Sequence, residues 1–327
     1  MLLCGGVEVP TMAFLDPLAI LAVLAAVGAL GLGARWFVGA ASRLATAAGI
    51  SPLVVGLTVV AFGTSAPEFA VTIEAAMEGR PELSVGNVIG SNVFNLGIIL
   101  GSVALLRPFA VAESFVRRDA LAMGGATLLA IVLVVDGSVG RAEGALLVAG
   151  LLAYLGWLIA AGRAPAGSNP EPPAEGDGGI DLLDLGRLIV GIALVVAGGQ
   201  LLVGTAADLA RTAGISEWAI GVTVVAAGTS VPELATSIVA ARRGEVAIAA
   251  GNVVGSNVFN LLGVLGVAAV VHPLSVASDP RLGLAVLLAL TAVATALLAT
   301  GRRLTRPEGG LLVCVAVSYW ILDALLG

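Results

Sequence analysis

The sequence contains no lysine, few charged or aromatic residues and only two cysteines. All 16 basic residues are arginines, and charged residues make up 12% of the chain, against about 25% in soluble domains. The formal net charge of −6 argues against a basic surface for nucleic acid. Cys4 and Cys314 share no metal-binding spacing, so we expect neither a zinc site nor a disulfide.

Most residues of the chain are apolar. Hydrophobic residues make up 58% of the chain, and the mean hydropathy is +1.06, which indicates a polytopic membrane protein. A hydrocarbon core about 30 Å thick needs about 20 apolar residues per helix. The hydrophobic runs predict ten spans, at residues 16–38, 51–77, 83–105, 118–135, 142–161, 183–207, 216–241, 246–270, 281–300 and 309–326.

A segment rich in proline, glycine and acidic residues separates the fifth span from the sixth. It cannot bury a core, and we interpret residues 162–181 as a flexible cytoplasmic linker. The chain is thereby divided into a first five-helix repeat, residues 1–161, and a second, residues 182–327.

The arginines predict the orientation of the spans. Loops after odd-numbered spans hold 12 arginines, including Arg35 and Arg43, and loops after even-numbered spans hold four. Positive residues stay in the cytoplasm, so both termini should lie outside the cell (inner) membrane. Because five is odd, the second repeat enters the membrane in the opposite orientation. The predicted fold is all-α, with ten transmembrane helices built as two inverted five-helix repeats.

Two stretches of the chain, residues 56–101 and 221–266, are nearly the same sequence. They are offset by 165 residues and share 27 of 46 positions, including GTSAPE or GTSVPE and GNVIGSNVFN or GNVVGSNVFN. Each stretch places a glutamate, Glu68 or Glu233, near the middle of a span. Carboxylates at this depth are costly and usually functional, and a duplicated pair indicates an ion site at a repeat interface.

The residues around each glutamate supply further oxygen atoms. Pro67 and Pro232 lack an N–H, so backbone carbonyls near Ala61 and Ala226 are left free to bind an ion. Hydroxyl and amide side chains at helical spacing are expected to face the same site: Thr64, Ser65, Asn87, Ser91 and Asn95 in one repeat, and Thr229, Ser230, Asn252, Ser256 and Asn260 in the other.

An all-oxygen set of ligands suits hard cations such as Ca²⁺ and Na⁺. Two glutamates carry a charge of −2, which one Ca²⁺ or two Na⁺ would balance, and a third Na⁺ would make the step electrogenic. A pocket that is costly when empty favours crossing only when loaded, which predicts exchange rather than leak.

At GTSAPE/GNVIGSNVFN and GTSVPE/GNVVGSNVFN the chain resembles the cation/Ca²⁺ exchanger superfamily, and most of all its prokaryotic sodium/calcium exchanger branch. The likeness covers the whole ten-helix layout. Calcium/proton exchangers of the superfamily usually show a different sequence, GN-A/T-x-E, where this chain has GTSAPE and GTSVPE. The resemblance therefore implies that Na⁺ drives the exchange.

The resemblance also implies a set of ligands. Ca²⁺ would be bound by Glu68, Glu233, Thr64 and Thr229. Na⁺ sites would use Ala61, Ser65 and Ser91 from one repeat and Ala226, Ser230 and Ser256 from the other, with Asn95 and Asn260 at the centre. Some members, including potassium-dependent exchangers, carry Asp where this chain has Asn260, which weakens the case for K⁺ transport. The linker is also too short for the Ca²⁺-sensing domains of animal exchangers.

The leading hypothesis is a secondary antiporter that exports Ca²⁺ against Na⁺ entry, with no enzymatic activity and no cofactor beyond the transported ions. A Ca²⁺/H⁺ antiporter is the alternative within this class, because the two glutamates can bind protons. A cation channel is the alternative from another class, although it would not need paired broken helices in opposite orientation. We expect the protein to function as a monomer in the lipid bilayer.

Overall fold

The computed structural model describes residues 17–161, 181–212, 226–276 and 280–326. Within these ranges the chain is helical apart from short loops and four two-residue strands. The helices are α1 (Pro17–Ala47), α2 (Pro52–Thr64), α3 (Ala66–Met77), α4 (Pro81–Leu106), α5 (Leu121–Val134, preceded by a π-helical turn at Phe115–Ala120), α6 (Arg141–Ala161), α7 (Leu182–Thr212), α8 (Ala226–Thr229), α9 (Val231–Arg243), α10 (Val246–Val271), α11 (Arg281–Gly301) and α12 (Arg306–Leu326).

Described helices lie at each of the ten spans that the sequence predicts. Six helices of the described residues (α1, α4, α6, α7, α10 and α11) are long and apolar enough to cross a bilayer, and α2 with α3 forms one further, bent span. The remaining spans are α5, α8 with α9, and α12. The predicted linker at 162–181 lies almost entirely outside the described residues, so the domain boundaries stay a prediction.

α4 and α10 form the centre of the bundle, and α1 and α7 lie at its periphery. In the most apolar part of each helix, 78% of the residues of α4 and 89% of those of α10 are buried, against 22% for both α1 and α7. α1 packs along α7. The two most exposed long helices therefore form a pair against a buried core.

α1 and α7 extend beyond the predicted spans, which end at residues 38 and 207. α1 and α7 each run for 31 residues, to Ala47 and Thr212. Arg35 and Arg43 thus lie on α1 rather than in a loop. The sequence after Trp36 contains no helix-breaking proline until Pro52, and arginine can extend its charged end from a helix into the headgroup region, so the helix continues past the hydrocarbon.

Each motif stretch that contains a glutamate is a broken helix, as the prolines predicted. α2 and α3 meet at Ser65, with a bend of 46° between the two segments. Pro67 falls in the first turn of α3 and Pro232 in the first turn of α9. This is the position where a missing N–H costs least. The proline thus begins a new helix in the middle of the membrane.

The strands give a direct view of the inverted repeat. β1 (Phe109–Ala110) pairs with β4 (Arg303–Leu304), and β2 (Ser138–Val139) pairs with β3 (Leu274–Ser275). The 165-residue offset that relates the repeats maps β1 onto β3 and β2 onto β4. Since β1 follows the third span and β2 the fourth, they lie on opposite faces of the membrane. Equivalent loops of the two repeats are therefore on opposite faces.

Close contacts between α1 and α7 follow the same repeat symmetry. A Cβ added to Gly33 would lie 2.7 Å from the carbonyl oxygen of Gly191, and one added to Gly198 would lie 3.0 Å from that of Ala26. The offset converts the first contact into the second. Small residues allow α1 and α7 to approach to backbone contact, so a larger side chain at either glycine would separate the two helices.

Candidate ion-binding site

The two glutamates lie immediately after the breaks in their spans. Glu68 is in the first turn of α3 and Glu233 in the first turn of α9, and both side chains are fully buried. A helix N-terminus favours a carboxylate through its free N–H groups and its dipole. The break therefore does more than interrupt a span, because it places a favourable helix end beside a charge that the bilayer would otherwise disfavour.

Each carboxylate is bonded by a serine from the other repeat. The Ser65 hydroxyl donates to Glu233 Oε1 at 2.9 Å, and the Ser230 hydroxyl donates to Glu68 Oε1 at 3.0 Å. Since the 165-residue offset exchanges these two bonds, the carboxylates are related by the pseudo-twofold axis of the molecule. The predicted residues of the two repeats thus form one site.

The threonines of the two motifs also reach across the axis. The Thr64 hydroxyl lies 3.1 Å from Asn252 Oδ1, and the Thr229 hydroxyl lies 3.2 Å from Asn87 Oδ1. Both threonines are buried. The threonines and asparagines of one repeat therefore interlock with those of the other in the same way as the serines and glutamates.

Thr72 and Ser237 also belong to this network, although the sequence analysis did not predict them. Asn87 donates to the Thr72 hydroxyl at 2.9 Å, and Asn252 donates to the Ser237 hydroxyl at 3.0 Å. Thr72 and Ser237 lie four residues after Glu68 and Glu233, on the same helix face. This spacing was available in the sequence. It identifies two residues that orient the asparagine amides.

The polar stripe of α4 and α10 completes the site, although less symmetrically. Ser91 lies 3.4 Å from the Thr229 hydroxyl, and Ser256 lies beside the Glu233 carboxylate. Asn95 donates to Asn257 Oδ1 at 3.3 Å, whereas neither side-chain polar atom of Asn260 is bonded within the described part of the chain. Ser91, Asn95, Ser256 and Asn260 are all fully buried.

Ala61 and Ala226, whose carbonyls were predicted to bind an ion, lie in the helix segments before the breaks. The Ala61 carbonyl accepts the Ser65 N–H at 3.0 Å and the Thr64 hydroxyl at 3.4 Å. Ala226 begins α8, the described part of the matching helix. A carbonyl has two lone pairs, so an ion bound by Ala61 would replace the longer of its two bonds.

The donor set can bind cations that prefer oxygen. Among the predicted ligands, four buried carboxylate or amide oxygens have no hydrogen-bond partner in the described part of the chain: Oε2 of Glu68, Oε2 of Glu233, Oδ1 of Asn95 and Oδ1 of Asn260. Carboxylate, amide and hydroxyl oxygens are ligands for Ca²⁺ and Na⁺. Buried acceptors of this kind are costly without a partner, and a cation is the partner that a pair of carboxylates requires.

A family model described as sodium/calcium exchanger protein matches residues 18–160 and 183–323. The chain belongs to this family. The two matched regions correspond to the two five-helix repeats, and the family comprises exchangers rather than enzymes.

Individual relatives agree with this assignment. Inner membrane protein YrbG of Escherichia coli K12 is 35% identical over 309 residues, which cover 88% of this chain and 92% of that protein. Sodium/calcium exchanger MaX1 of Methanosarcina acetivorans is 30% identical over 329 residues, which cover 89% and 94%. Both likenesses extend over nearly the whole of each chain.

A solved structure shares the fold. It is the sodium-calcium exchanger NCX_Mj soaked with 2.5 mM Na⁺ and 0.1 mM Ca²⁺, which is 32% identical to this chain with a TM-score of 0.82. The match covers 95% of this chain and 99% of the other. The ten-span, two-repeat architecture is therefore that of NCX_Mj.

Proposed function

We propose that this protein exchanges Na⁺ for Ca²⁺ across the membrane as a secondary antiporter, with Ca²⁺ leaving the cell. The observation that carries this proposal is the crossed pair of bonds from Ser65 to Glu233 and from Ser230 to Glu68. These bonds bring two carboxylates from inverted broken helices to a single site at mid-membrane. The names of the relatives MaX1 and NCX_Mj support the choice of ions.

In this proposal the carboxylates and the threonines bind Ca²⁺. Glu68 and Glu233 supply a charge of −2, which Ca²⁺ balances, and Thr64 and Thr229 supply further oxygens. Na⁺ binds at flanking positions through the remaining oxygens, namely those of Ala61, Ser65, Ser91, Ala226, Ser230 and Ser256, with Asn95 and Asn260 at the centre. The Ser65 and Ser230 hydroxyls bond to carboxylates of the Ca²⁺ site, so the Na⁺ and Ca²⁺ sites adjoin each other and the two ions compete.

Competition between adjoining sites couples the movement of the two ions. Two buried carboxylates in a low-dielectric site are costly without cations, so the protein changes its accessible side only with a charge-matched load. One Ca²⁺ or at least two Na⁺ satisfies that condition. The pseudo-twofold symmetry presents similar ligands toward both faces, which is what alternating access around a fixed site requires.

The peripheral pair α1–α7 is the moving part in this proposal. These helices contact each other closely at Gly33, Gly191 and Gly198, so they move together as one body. α4 and α10, which carry the polar stripe, stay fixed. The arginine-rich face is cytoplasmic, both termini are extracytoplasmic, and one chain is the functional unit in the inner membrane.

The function is tested by uptake of radioactive Ca²⁺ into proteoliposomes that contain the purified protein. Vesicles are loaded with Na⁺, with K⁺ or with buffer at an imposed pH difference. We expect uptake only when a Na⁺ gradient points outward. Uptake driven by the pH difference alone would instead assign Ca²⁺/H⁺ exchange, and conductance without countertransport would assign a channel.

The moving pair is tested with introduced cysteines after Cys4 and Cys314 are replaced by serine. Ser42 on α1 bonds to Glu245, between α9 and α10, at 2.9 Å, so the variant S42C/E245C with a bifunctional thiol reagent ties the pair to the core. We expect exchange to stop and to return on reduction. The matched control R43C/D184C joins α1 to α7, whose side chains pair at 2.6 Å, and should remain active. Full activity in crosslinked S42C/E245C would reject α1 as the moving element.

A further inference from the structure

Four arginines converge on a cavity at the ends of three helices, away from the ion site. The cavity has a volume of about 490 Å³ and is lined by Leu32, Arg35, Trp36, Arg43, Arg187 and Arg243. Arg35 and Arg43 come from α1, Arg187 from α7 and Arg243 from the last turn of α9. This end of the bundle is the arginine-rich face.

The guanidinium groups are held closer together than like charges favour. Arg243 Nη2 lies 3.1 Å and Arg43 Nη1 lies 3.4 Å from the point where a Cβ of Gly39 would be. Gly39 thus provides the space in which both groups lie against α1. The nearest acidic partners are Asp184, which bonds both Arg43 and Arg187, and Asp181. The cavity keeps an excess of positive charge.

The charge and the surroundings of the cavity indicate the kind of ligand that it can bind. Arginine forks bind phosphate oxygens with two parallel hydrogen bonds, and basic pockets between membrane helices on the cytoplasmic side bind anionic lipid headgroups. Leu32 and Trp36 are 46% and 39% exposed beside the arginines, and they offer an apolar surface at the level where acyl chains begin. We propose that this cavity binds the phosphate of an anionic phospholipid.

A lipid in this position would join the moving pair to the core. Its phosphate would contact arginines of α1 and α7 on one side and Arg243 of α9 on the other. A ligand shifts an equilibrium only by binding one conformation better than another. Because these helices separate when the pair moves, the lipid should stabilise the conformation in which the four arginines converge.

The experiment compares two double variants of equal charge, Arg187→Gln/Arg243→Gln in the cavity and Arg117→Gln/Arg303→Gln on the same membrane face. Each purified protein is titrated in neutral detergent with phosphatidylglycerol, phosphatidylcholine or inorganic phosphate, and the melting temperature and the lipid bound in native mass spectrometry are recorded. We expect phosphatidylglycerol to raise the melting temperature of the wild type and of the control. In the cavity variant its apparent affinity should fall at least about tenfold, since each surface arginine adds about 1 kcal/mol.

The other outcomes would overturn the proposal. An equal loss of affinity in both variants would show general attraction to the charged face. A full shift with inorganic phosphate alone would show that a free anion, and not a lipid, occupies the cavity. If the double variant does not fold, the single variant Arg243→Gln, which removes a bond to the Arg35 carbonyl at 3.4 Å, replaces it with the same expectations.

Discussion

The two repeats are nearly identical at the middle of the membrane and different at its faces. At the centre, Ser65 and Glu233 make the same contact as Ser230 and Glu68. Toward the end of the same helices, Glu74 in α3 and Glu78 directly after it correspond to Val239 and Arg243 in α9. The difference indicates what each region must do. A shared ion site must present the same ligands in both directions, whereas the two ends of the bundle face different compartments.

The two repeats also depart from symmetry at two places inside the bundle. Asn95 bonds Asn257, but the equivalent bond from Asn260 to Asn92 is not formed, and Asn92 donates instead to the Val88 carbonyl. A buried Asp119 pairs with Arg118 at 2.7 Å, and the 165-residue offset places Leu284 and Gly283 there. Symmetry is therefore maintained at the carboxylates and relaxed around them.

The strongest test of the symmetry is to neutralise each carboxylate in turn. Glu68→Gln and Glu233→Gln each remove one of the two charges that face a divalent ion while keeping the side-chain shape. We expect either change to abolish Ca²⁺ uptake in proteoliposomes. The control Glu74→Gln, an exposed position on the same helix as Glu68, should retain uptake. Near-normal flux in either site variant would remove the assignment of that glutamate.

The buried ion pair of the first repeat should affect stability rather than exchange. Arg118→Gln leaves Asp119 buried without its charged partner, which costs about 3 kcal/mol, while Arg117→Gln removes a side chain that is 77% exposed and should cost less than about 1 kcal/mol. Thermal unfolding in detergent measures both. Equal melting temperatures for the two variants would mean that Asp119 is compensated in another way.

Ser65 and Ser230, which bond the glutamate of the opposite repeat, test whether the two repeats contribute equally to exchange. Ser65→Ala and Ser230→Ala each remove one hydrogen bond to a carboxylate, which contributes about 1.5 kcal/mol. We therefore expect Na⁺-dependent Ca²⁺ uptake to fall about tenfold in both and by a similar factor. Thr58→Val is the control, because that hydroxyl bonds the Val54 carbonyl of its own helix. A large loss of uptake in one serine variant alone would show that the two repeats are not functionally equivalent.

The smallest effect is expected at the asparagine that departs from symmetry. With a neutral amide at position 260, exchange by the wild type should be unchanged when K⁺ is replaced by choline. Asn260→Asp raises the charge of the site to −3, so exchange should become several-fold more sensitive to K⁺ or to pH, because a third buried carboxylate binds either a cation or a proton. Strict K⁺ dependence of the unmodified protein would contradict this interpretation of Asn260.

Much of the fold followed from local patterns in the sequence. The duplicated motifs and the odd number of spans predicted the inverted repeat, and Pro67 and Pro232 predicted the breaks. The lengths of α1 and α7 did not follow, because hydropathy indicates where a helix leaves the hydrocarbon and not where it ends. The loop strands also did not follow, since two-residue pairings depend on contacts between distant residues.

The site was predictable to the extent that its residues recur. Glu68, Ser65 and Thr64 were identified because they are repeated with identical spacing. Their partners across the axis were not, because a repeat does not specify how its two copies interlock. The converging arginines around Gly39 could not be found in this way either, since the cavity combines residues from three helices without a shared motif.

The crossed strands have a consequence for how the protein is assembled. β1 and β2 both belong to the first half of the chain, and their partners β3 and β4 both belong to the second. Neither half can complete its own loop pairs, so each pair closes only once the chain has passed the eighth or the ninth span. Contacts this distant in sequence slow folding. α1 and α7 carry no strand, so the strand pairs do not tie them to the rest of the bundle.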